Sequence, residues 1–292
     1  MLKLQTTVDI TPSQWKINYE DKILMLGSCF SDEIGEQMAQ RNLHVTSNPF
    51  GTLYNPLSIA NAINMKMSKC ENDQLPLIFN EGLYHSMAHH GSFSRPTREE
   101  AETAVKASIE AMQKALQEAT VVIVTFGTAW VYEMVNGTCP NGKWIVGNCH
   151  KLPAERFTRR RLSADEIVAA WKPILAQYPD KHWLFTVSPI RHIKDGLHEN
   201  QLSKATLLQA VDQLTPPCRE GQGVGCYFPS YEIVLDELRD YRFYADDLVH
   251  PSSLAVNYIW ERFADTFCTP QTRNEMILQH KRWKQAQHRP LH

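Results

Sequence analysis

Apolar residues along the chain gather in short, nearly unbroken runs that stop at Gly, Ser or Pro: Lys22–Leu26, Leu43–Thr46, Val121–Phe126, Trp183–Val187 and Val224–Phe228. Such runs, lacking the alternation of a half-exposed strand, suit strands buried on both faces. Between them lie longer stretches with helix-start signals. Asn55-Pro56 offers a cap followed by proline, and Thr97-x-x-Glu100 and Ser163-x-x-Glu166 read as capping boxes. This alternation predicts a parallel sheet with helices on both faces, because parallel strands need crossover connections.

Two segments break the alternation and predict antiparallel hairpins outside the sheet. One is Leu77–Tyr84; the other is Val131–Val135, returning through Asn136-Gly137 and Asn141-Gly142 to Trp144–Val146. From Pro251 onward the pattern is helical and ends in a polar tail expected to fray. The chain therefore divides into a main unit, residues 1–265, and a C-terminal helical extension and tail, residues 266–292.

With 292 residues, 43% of them hydrophobic and 21% charged, the chain is long and apolar enough for a large core. Lys+Arg (30) and Asp+Glu (32) nearly cancel, leaving no overall electrostatic footprint for nucleic acid or an anionic membrane. No stretch approaches the ~18 apolar residues of a membrane span, and the start lacks the apolar core of a signal peptide. A soluble, cytoplasmic protein is expected. Seven cysteines at irregular spacings (29, 70, 139, 149, 218, 226 and 268) fit a reducing compartment, with at least one thiol unpaired.

Two places carry candidate chemistry. In Leu26-Gly27-Ser28-Cys29-Phe30-Ser31-Asp32 a strand runs through Gly into small polar residues, and a helix is expected to begin near Ser31. Ser28 and Cys29 then lie at the carboxyl edge of the sheet, where open α/β folds bind ligands. The helix N-terminus, with about half a positive charge, is expected to lower the Cys29 thiol pKa toward partial thiolate at neutral pH. The competing reading makes Cys29 a small buried hydrophobe.

The second place is Asp246-Asp247-Leu248-Val249-His250-Pro251-Ser252, with Pro251 expected at a helix start. Asp247, three residues before His250, is in reach of one imidazole nitrogen; it would set the tautomer and leave the other nitrogen as a base. Asp246 competes for that orienting role, and a helix-capping His250 is the structural alternative.

Gly27-Ser28-Cys29-Phe30-Ser31 resembles the Gly-Ser-Cys-Phe-Ala signature of the GSCFA-domain family, whose members are assigned to the SGNH/GDSL hydrolase superfamily. Further stretches resemble its other blocks: Asn48-Pro49-Phe50-Gly51 with Tyr54-Asn55-Pro56, Phe126-Gly127-Thr128 with Trp130–Glu133, Asn148–Lys151, Ser188-Pro189-Ile190-Arg191-His192 and Asp247–Ser252. The resemblance implies a three-layer α/β/α flavodoxin-like fold with a five-stranded parallel sheet of order 2-1-3-4-5, carrying hairpin insertions. It places Cys29 at the nucleophile position and Ser28 where the superfamily has Asp; a register slip of one residue would make Ser28 the nucleophile. His250 becomes the general base, Asp247 its orienter, and the Gly51 N–H a support for an oxyanion.

The third block departs: Gly127-Thr128-Ala129 stands where such hydrolases carry Gly-x-Asn, so Thr128 and Asn148 are the candidates to replace the missing amide. The implied function is hydrolysis of a carboxylic ester, on a small molecule or glycan, through an acyl-enzyme on Cys29. Acyl transfer, or non-catalytic binding of an acylated or glycan-like ligand, are the alternatives. No cofactor is implied. Phe50, Trp130 and Tyr132 are candidates for lining an acyl pocket, against a plain core role.

Other signals carry less. His85-x-x-x-His89 has usable metal spacing but falls in a hairpin, and Cys139 and Cys149-His150 are too far apart for a zinc ribbon. Cys149-His150 reads as a pair of loop residues or a substrate contact. Gly221-x-Gly223-x-Gly225 precedes a strand and fails the test for a dinucleotide fingerprint. The basic run Arg156–Arg161 reads as a solvated face, or otherwise as a site for an anionic group.

Overall fold

The computed structural model describes residues 5–66, 76–135, 143–215 and 225–287. The Asn-Gly turns of the second hairpin, Cys70, Cys139, Cys218, most of the Gly221–Gly225 stretch and the extreme C-terminal tail lie outside them.

Five strands form the central parallel sheet: β1 (Lys22–Gly27), β2 (His44–Ser47), β5 (Val121–Phe126), β9 (His182–Val187) and β10 (Gly225–Phe228). Their spatial order is β2-β1-β5-β9-β10. Over the whole chain this count differs from the expected 2-1-3-4-5, because five strands of two side sheets intervene. Those are the pair β3 (Leu77–Asn80) and β4 (Leu83–Ser86), and the three-stranded β6 (Trp130–Val135), β7 (Lys143–Val146) and β8 (Phe157–Arg161).

The side chains of β1 alternate between two cores, as a strand's period of two requires. Leu24 and Leu26 face a cluster built from α2 (Pro56–Asn64), α3 (Arg98–Glu118), α4 (Ala164–Gln177) and α5 (Leu197–Leu214). Ile23 and Met25 face one built from α1 (Cys29–Ala39) and α7 (Ser253–Phe267), which Met276 of α8 (Pro270–Gln287) also joins. A short α6 (Ser230–Glu232) runs into a π-turn at Ile233–Glu237. Helices thus cover both faces of the sheet. No helix among the described residues is long and apolar enough to cross a membrane.

The helix signals act as caps. Asn55 accepts from the Ser58 N–H at 2.8 Å, Thr97 from the Glu100 N–H at 3.2 Å, and Ser163 and Glu166 form a reciprocal capping box. Two starts differ from expectation. Helix α1 begins at Cys29, with Ser28 in the cap position, two residues before Ser31. Helix α7 begins at Ser253, capped by Ser252, while Pro251 makes an isolated bridge to Tyr244.

The basic run is neither a solvated face nor an open anion site. Phe157–Arg161 forms β8 and its three arginines are paired, Arg160 with Glu133 (2.8 Å) and Glu166 (2.7 Å), Arg161 with Glu199 (3.3 Å), and Arg159 in a bidentate pair with Asp195, while Arg156 before it is exposed. The Arg159 guanidinium also lies 4.4 Å over the Trp130 ring and 5.2 Å over that of Tyr132. Charges on a half-covered strand are tolerated where each finds a partner.

The core anchor behind the sheet is Trp171 on α4, fully buried and edge-on to Phe126 (5.3 Å) and Phe185 (5.4 Å), with its indole N–H donating to the Pro56 carbonyl at 3.1 Å. Trp171→Ala should lower the unfolding free energy by about 3–5 kcal/mol, the cost of a large cavity plus an orphaned carbonyl. Urea unfolding followed by circular dichroism checks this; a loss below about 1 kcal/mol would mean that α4 can collapse onto the sheet.

Candidate functional site

Gly27 pairs with Thr125 in the β1–β5 register, and Phe126 with Val187 in β5–β9, so the three strands end level with one another. The residues that follow, Ser28, Gly127 and Ser188, therefore share one edge. Gly27 has φ +131°, and a Cβ there would lie 2.1 Å from the Thr125 carbonyl oxygen, so only glycine permits this close approach.

The loops at this edge are tied to the strands and to α1. Asn48 accepts from the Gly27 N–H at 2.8 Å and donates to Asp32 at 2.8 Å; Thr52 donates to the other Asp32 oxygen at 3.1 Å. The Tyr54 carbonyl accepts from the N–H groups of Gly127 (2.8 Å) and Thr128 (3.0 Å). Lys204 of α5, fully buried, donates to the carbonyls of Gly127 (2.7 Å) and Ser188 (2.6 Å). Burial pushes its ammonium down to about 7, against an opposing pull from Cys29.

Cys29 is half-buried in the first turn of α1, with its own N–H and that of Phe30 facing the sulfur. Burial nevertheless raises the thiol pKa, and the Glu33 carboxylate one turn along raises it further. The expected partial thiolate is overturned, because desolvation and a neighbouring carboxylate outweigh the helix end. Ser28 is 1% exposed, and its hydroxyl has no partner.

His250 sits in the turn before α7. Asp247 accepts from the N–H groups of Val249 and His250, both at 2.9 Å, and its second oxygen meets His250 Nδ1 at 2.6 Å. These bonds, first the backbone donors, hold the Asp247 carboxyl down to about 2. Asp247, rather than Asp246, is the carboxylate on the imidazole. His250 Nε2 has no hydrogen-bond partner, and the ring is electrostatically coupled to Glu33 and to His192. No hydrogen bond joins Cys29 to His250. Both border Glu33, which places them on the same edge.

The oxyanion candidates fare differently. Gly51 has φ +74°, and its N–H donates to the Asn48 carbonyl at 2.7 Å, so that donor is already engaged. The Thr128 hydroxyl meets Ser203 at 3.1 Å and accepts from the Trp130 N–H at 3.1 Å. Asn148 lies just beyond the side sheet, where it accepts from the His150 N–H at 2.8 Å and its N–H reaches the Met87 carbonyl at 3.4 Å. The Thr128 hydroxyl is thus engaged, and Asn148 uses its backbone N–H and side-chain oxygen in the loop after β7. Phe50 is 1% exposed and stacked on His89 at 4.1 Å, a core position. Trp130 and Tyr132 carry Arg159.

The metal and thiol candidates in the side sheets are satisfied locally. His85 meets Ser94 and the Asn80 carbonyl, and His89 meets Ser86 and Ser108. His150 stacks on His85 at 4.5 Å, and burial pushes the Cys149 thiol up to about 11. No group of three or more His, Cys, Asp or Glu among the described residues is arranged to hold a metal ion.

Sequence reasoning gave no role to Glu33, His192, Lys204 or Tyr54. The Cys29-to-Glu33 spacing of four was a usable signal, since residues four apart share a helix face. Lys204 carried none, since a lysine inside a helical pattern reads as exposed.

A five-stranded parallel α/β sheet whose carboxyl edge gathers Ser28, Cys29, His192, Lys204 and an Asp247-held His250 defines a protein of the mixed α/β class with a polar edge site. The GSCFA family model matches residues 22–263, and the chain belongs to the GSCFA family. No curated protein and no solved structure is detectably similar to it.

The buried imidazoles make stability depend on pH. Burial pushes His89 down to about 3 and His192 down to about 4. Unfolded, both titrate near ~6.5, so below that pH the unfolded chain binds more protons than the folded one. Stability should be full above about pH 6.5 and fall at up to ~1.4 kcal/mol per pH unit for each histidine on acidification. Urea midpoints between pH 7.5 and 4.5 test this; His89→Gln should flatten the slope by about half, and an unchanged slope would remove His89 from the account.

Proposed function

We propose that this protein is an SGNH-type hydrolase of flavodoxin-like three-layer fold that cleaves a carboxylic ester, on a small molecule or a glycan, through an acyl-enzyme on Cys29. The observation that carries the reading is the Asp247–His250 pair: a carboxylate 2.6 Å from Nδ1 fixes the proton there and leaves Nε2 unprotonated on the side without a partner. Exposure favours Cys29 over Ser28 as the nucleophile. Cys29 is half-open and His250 is exposed, whereas Ser28 is closed off at 1% exposure.

Because its pKa is raised, the thiol meets substrate protonated and needs a base. His250 Nε2 takes the thiol proton as the sulfur attacks the ester carbonyl. The tetrahedral oxyanion forms beside the N-terminus of α1, with its uncommitted N–H groups. Collapse expels the alcohol, which takes the proton back from His250, and water or another acceptor resolves the thioester. A second reading has support of its own: the raised thiol pKa and the engaged Gly51 and Thr128 donors suit a protein that binds an acylated or glycan-like ligand without turnover.

Turnover of 4-nitrophenyl acetate and longer short-chain esters separates these. Cys29→Ala should abolish it, and Asp247→Asn should reduce it by up to about 10⁴-fold through loss of the correct tautomer. Activity that persists in Cys29→Ala and disappears in Ser28→Ala would move the nucleophile by one residue. Absence of any acylation in the unmodified protein would leave the binding reading.

A further inference from the structure

Among the described residues, two of the buried polar atoms without a partner belong to residues beside Gly127: Ser28 Oγ and His192 Nε2. Both residues border the space beside Gly127. The point where a Cβ on Gly127 would stand is 3.3 Å from Ser28 Cβ, 3.4 Å from His192 Nε2 and 3.0 Å from the Tyr54 carbonyl oxygen. An unmade hydrogen bond at a buried ring nitrogen costs stability, so a site that keeps one open has a use for it. The Gly127 N–H is committed to Tyr54, so the Ser28 hydroxyl and the His192 ring nitrogen are the groups left open at this spot.

His192 is held there. Its backbone N–H donates to the buried Asn200 side chain at 2.9 Å, and the Tyr54 ring meets the imidazole edge-on at 5.9 Å. The titratable groups around the ring come from several elements: Lys204 on α5, Asp195 before it, Arg159 on β8 and His250 before α7. Lys204 and Arg159 oppose a second proton on the ring and favour an anion beside it. Burial acts in the same direction, so the imidazole is neutral at physiological pH.

We propose that His192 is a further catalytic residue: as a neutral imidazole it donates the Nε2 proton to the carbonyl oxygen of the substrate as that oxygen becomes an oxyanion, replacing the side-chain amide that Gly127-Thr128-Ala129 lacks. A neutral imidazole donor of this kind is an established catalytic device. This inference rests on Cys29 being acylated, and the step it accelerates is fully specified. The sulfur–carbon bond forms, the thiol proton goes to His250, and the charge on the carbonyl oxygen is held by a hydrogen bond from His192; the carbonyl then re-forms as the ester carbon–oxygen bond breaks, and the leaving oxygen takes the proton from His250.

The test compares two reactions of the same sulfur in the full-length protein, each mapped by mass spectrometry. Acylation by 4-nitrophenyl acetate passes through an oxyanion; alkylation by iodoacetamide does not. His192→Ala should slow acylation of Cys29 by about 10²-fold while leaving its alkylation rate within about twofold. His192→Gln, which restores a donor, should recover part of the loss. Equal slowing of both reactions, or an unchanged acylation rate, would overturn the role of His192 while leaving Cys29 as the nucleophile. If the unmodified protein carries no acetyl group on Cys29, the proposed function falls and this inference with it.

Discussion

The carboxyl edge of the sheet depends on one buried cation. Lys204 has no carboxylate partner; its ammonium is held by the carbonyls of Gly127 and Ser188, the residues that follow β5 and β9. Burying a charge is costly, and only short charge-assisted bonds keep it protonated at all. The same bonds stop the two strand ends from splaying. On the opposite side of Gly127, the Tyr54 carbonyl takes the N–H groups of Gly127 and Thr128, so this turn is tied from both directions. Everything proposed for the site requires that rigidity, because Ser28, Cys29 and His192 are all placed relative to Gly127.

The electrostatics of Cys29 follow from competing magnitudes. A helix N-terminus stabilises an anion by typically 0.3–1 kcal/mol where solvent is present. The sulfur is half-buried, and a carboxylate stands one helical turn away at Glu33, whose own pKa is raised first by burial. Those two effects reverse the sign that the helix end alone would give. A protonated thiol at rest is compatible with acyl chemistry only if a base adjoins it. That makes the Asp247-held His250 more consequential here than in a site with a preformed thiolate.

Much of this arrangement was legible in the chain. The five apolar runs became the five strands of the parallel sheet; β1, β5 and β9 are covered on both faces and have no polar positions to spare, whereas the edge strand β2 is half-exposed. The Asp247-to-His250 spacing named an ion pair three residues long that local geometry alone could close. What escaped was β8: Phe157–Arg161 carries three consecutive arginines, and its strand character comes from partners remote in sequence, on β6, α4 and the segment around Asp195 and Glu199. Lys204 escaped for the same reason, since its acceptors are backbone carbonyls with no residue signature. Gly51 misled in the opposite direction. Its glycine is explained by φ +74° and by a Cβ that would sit 2.4 Å from His90 Cβ, a local steric need that looks identical in sequence to a role in holding an oxyanion.

The edge is graded by depth, and the grading gives each adjacent pair a different task. Cys29 and His250 are both partly open, and their nearest carboxylates are Glu33 and Asp247. Ser28 Oγ and His192 Nε2 are buried and without a partner, where an electrostatic interaction is stronger for lack of competing water. On the proposed reading, the thiol and the imidazole exchange protons with the medium and so belong outside, while a group that holds charge only as it develops works best away from water. Gly127 marks the boundary between the two, since a methyl group on its Cα would fill the space that separates Ser28 from His192 and remove the inner layer while leaving the outer one in place.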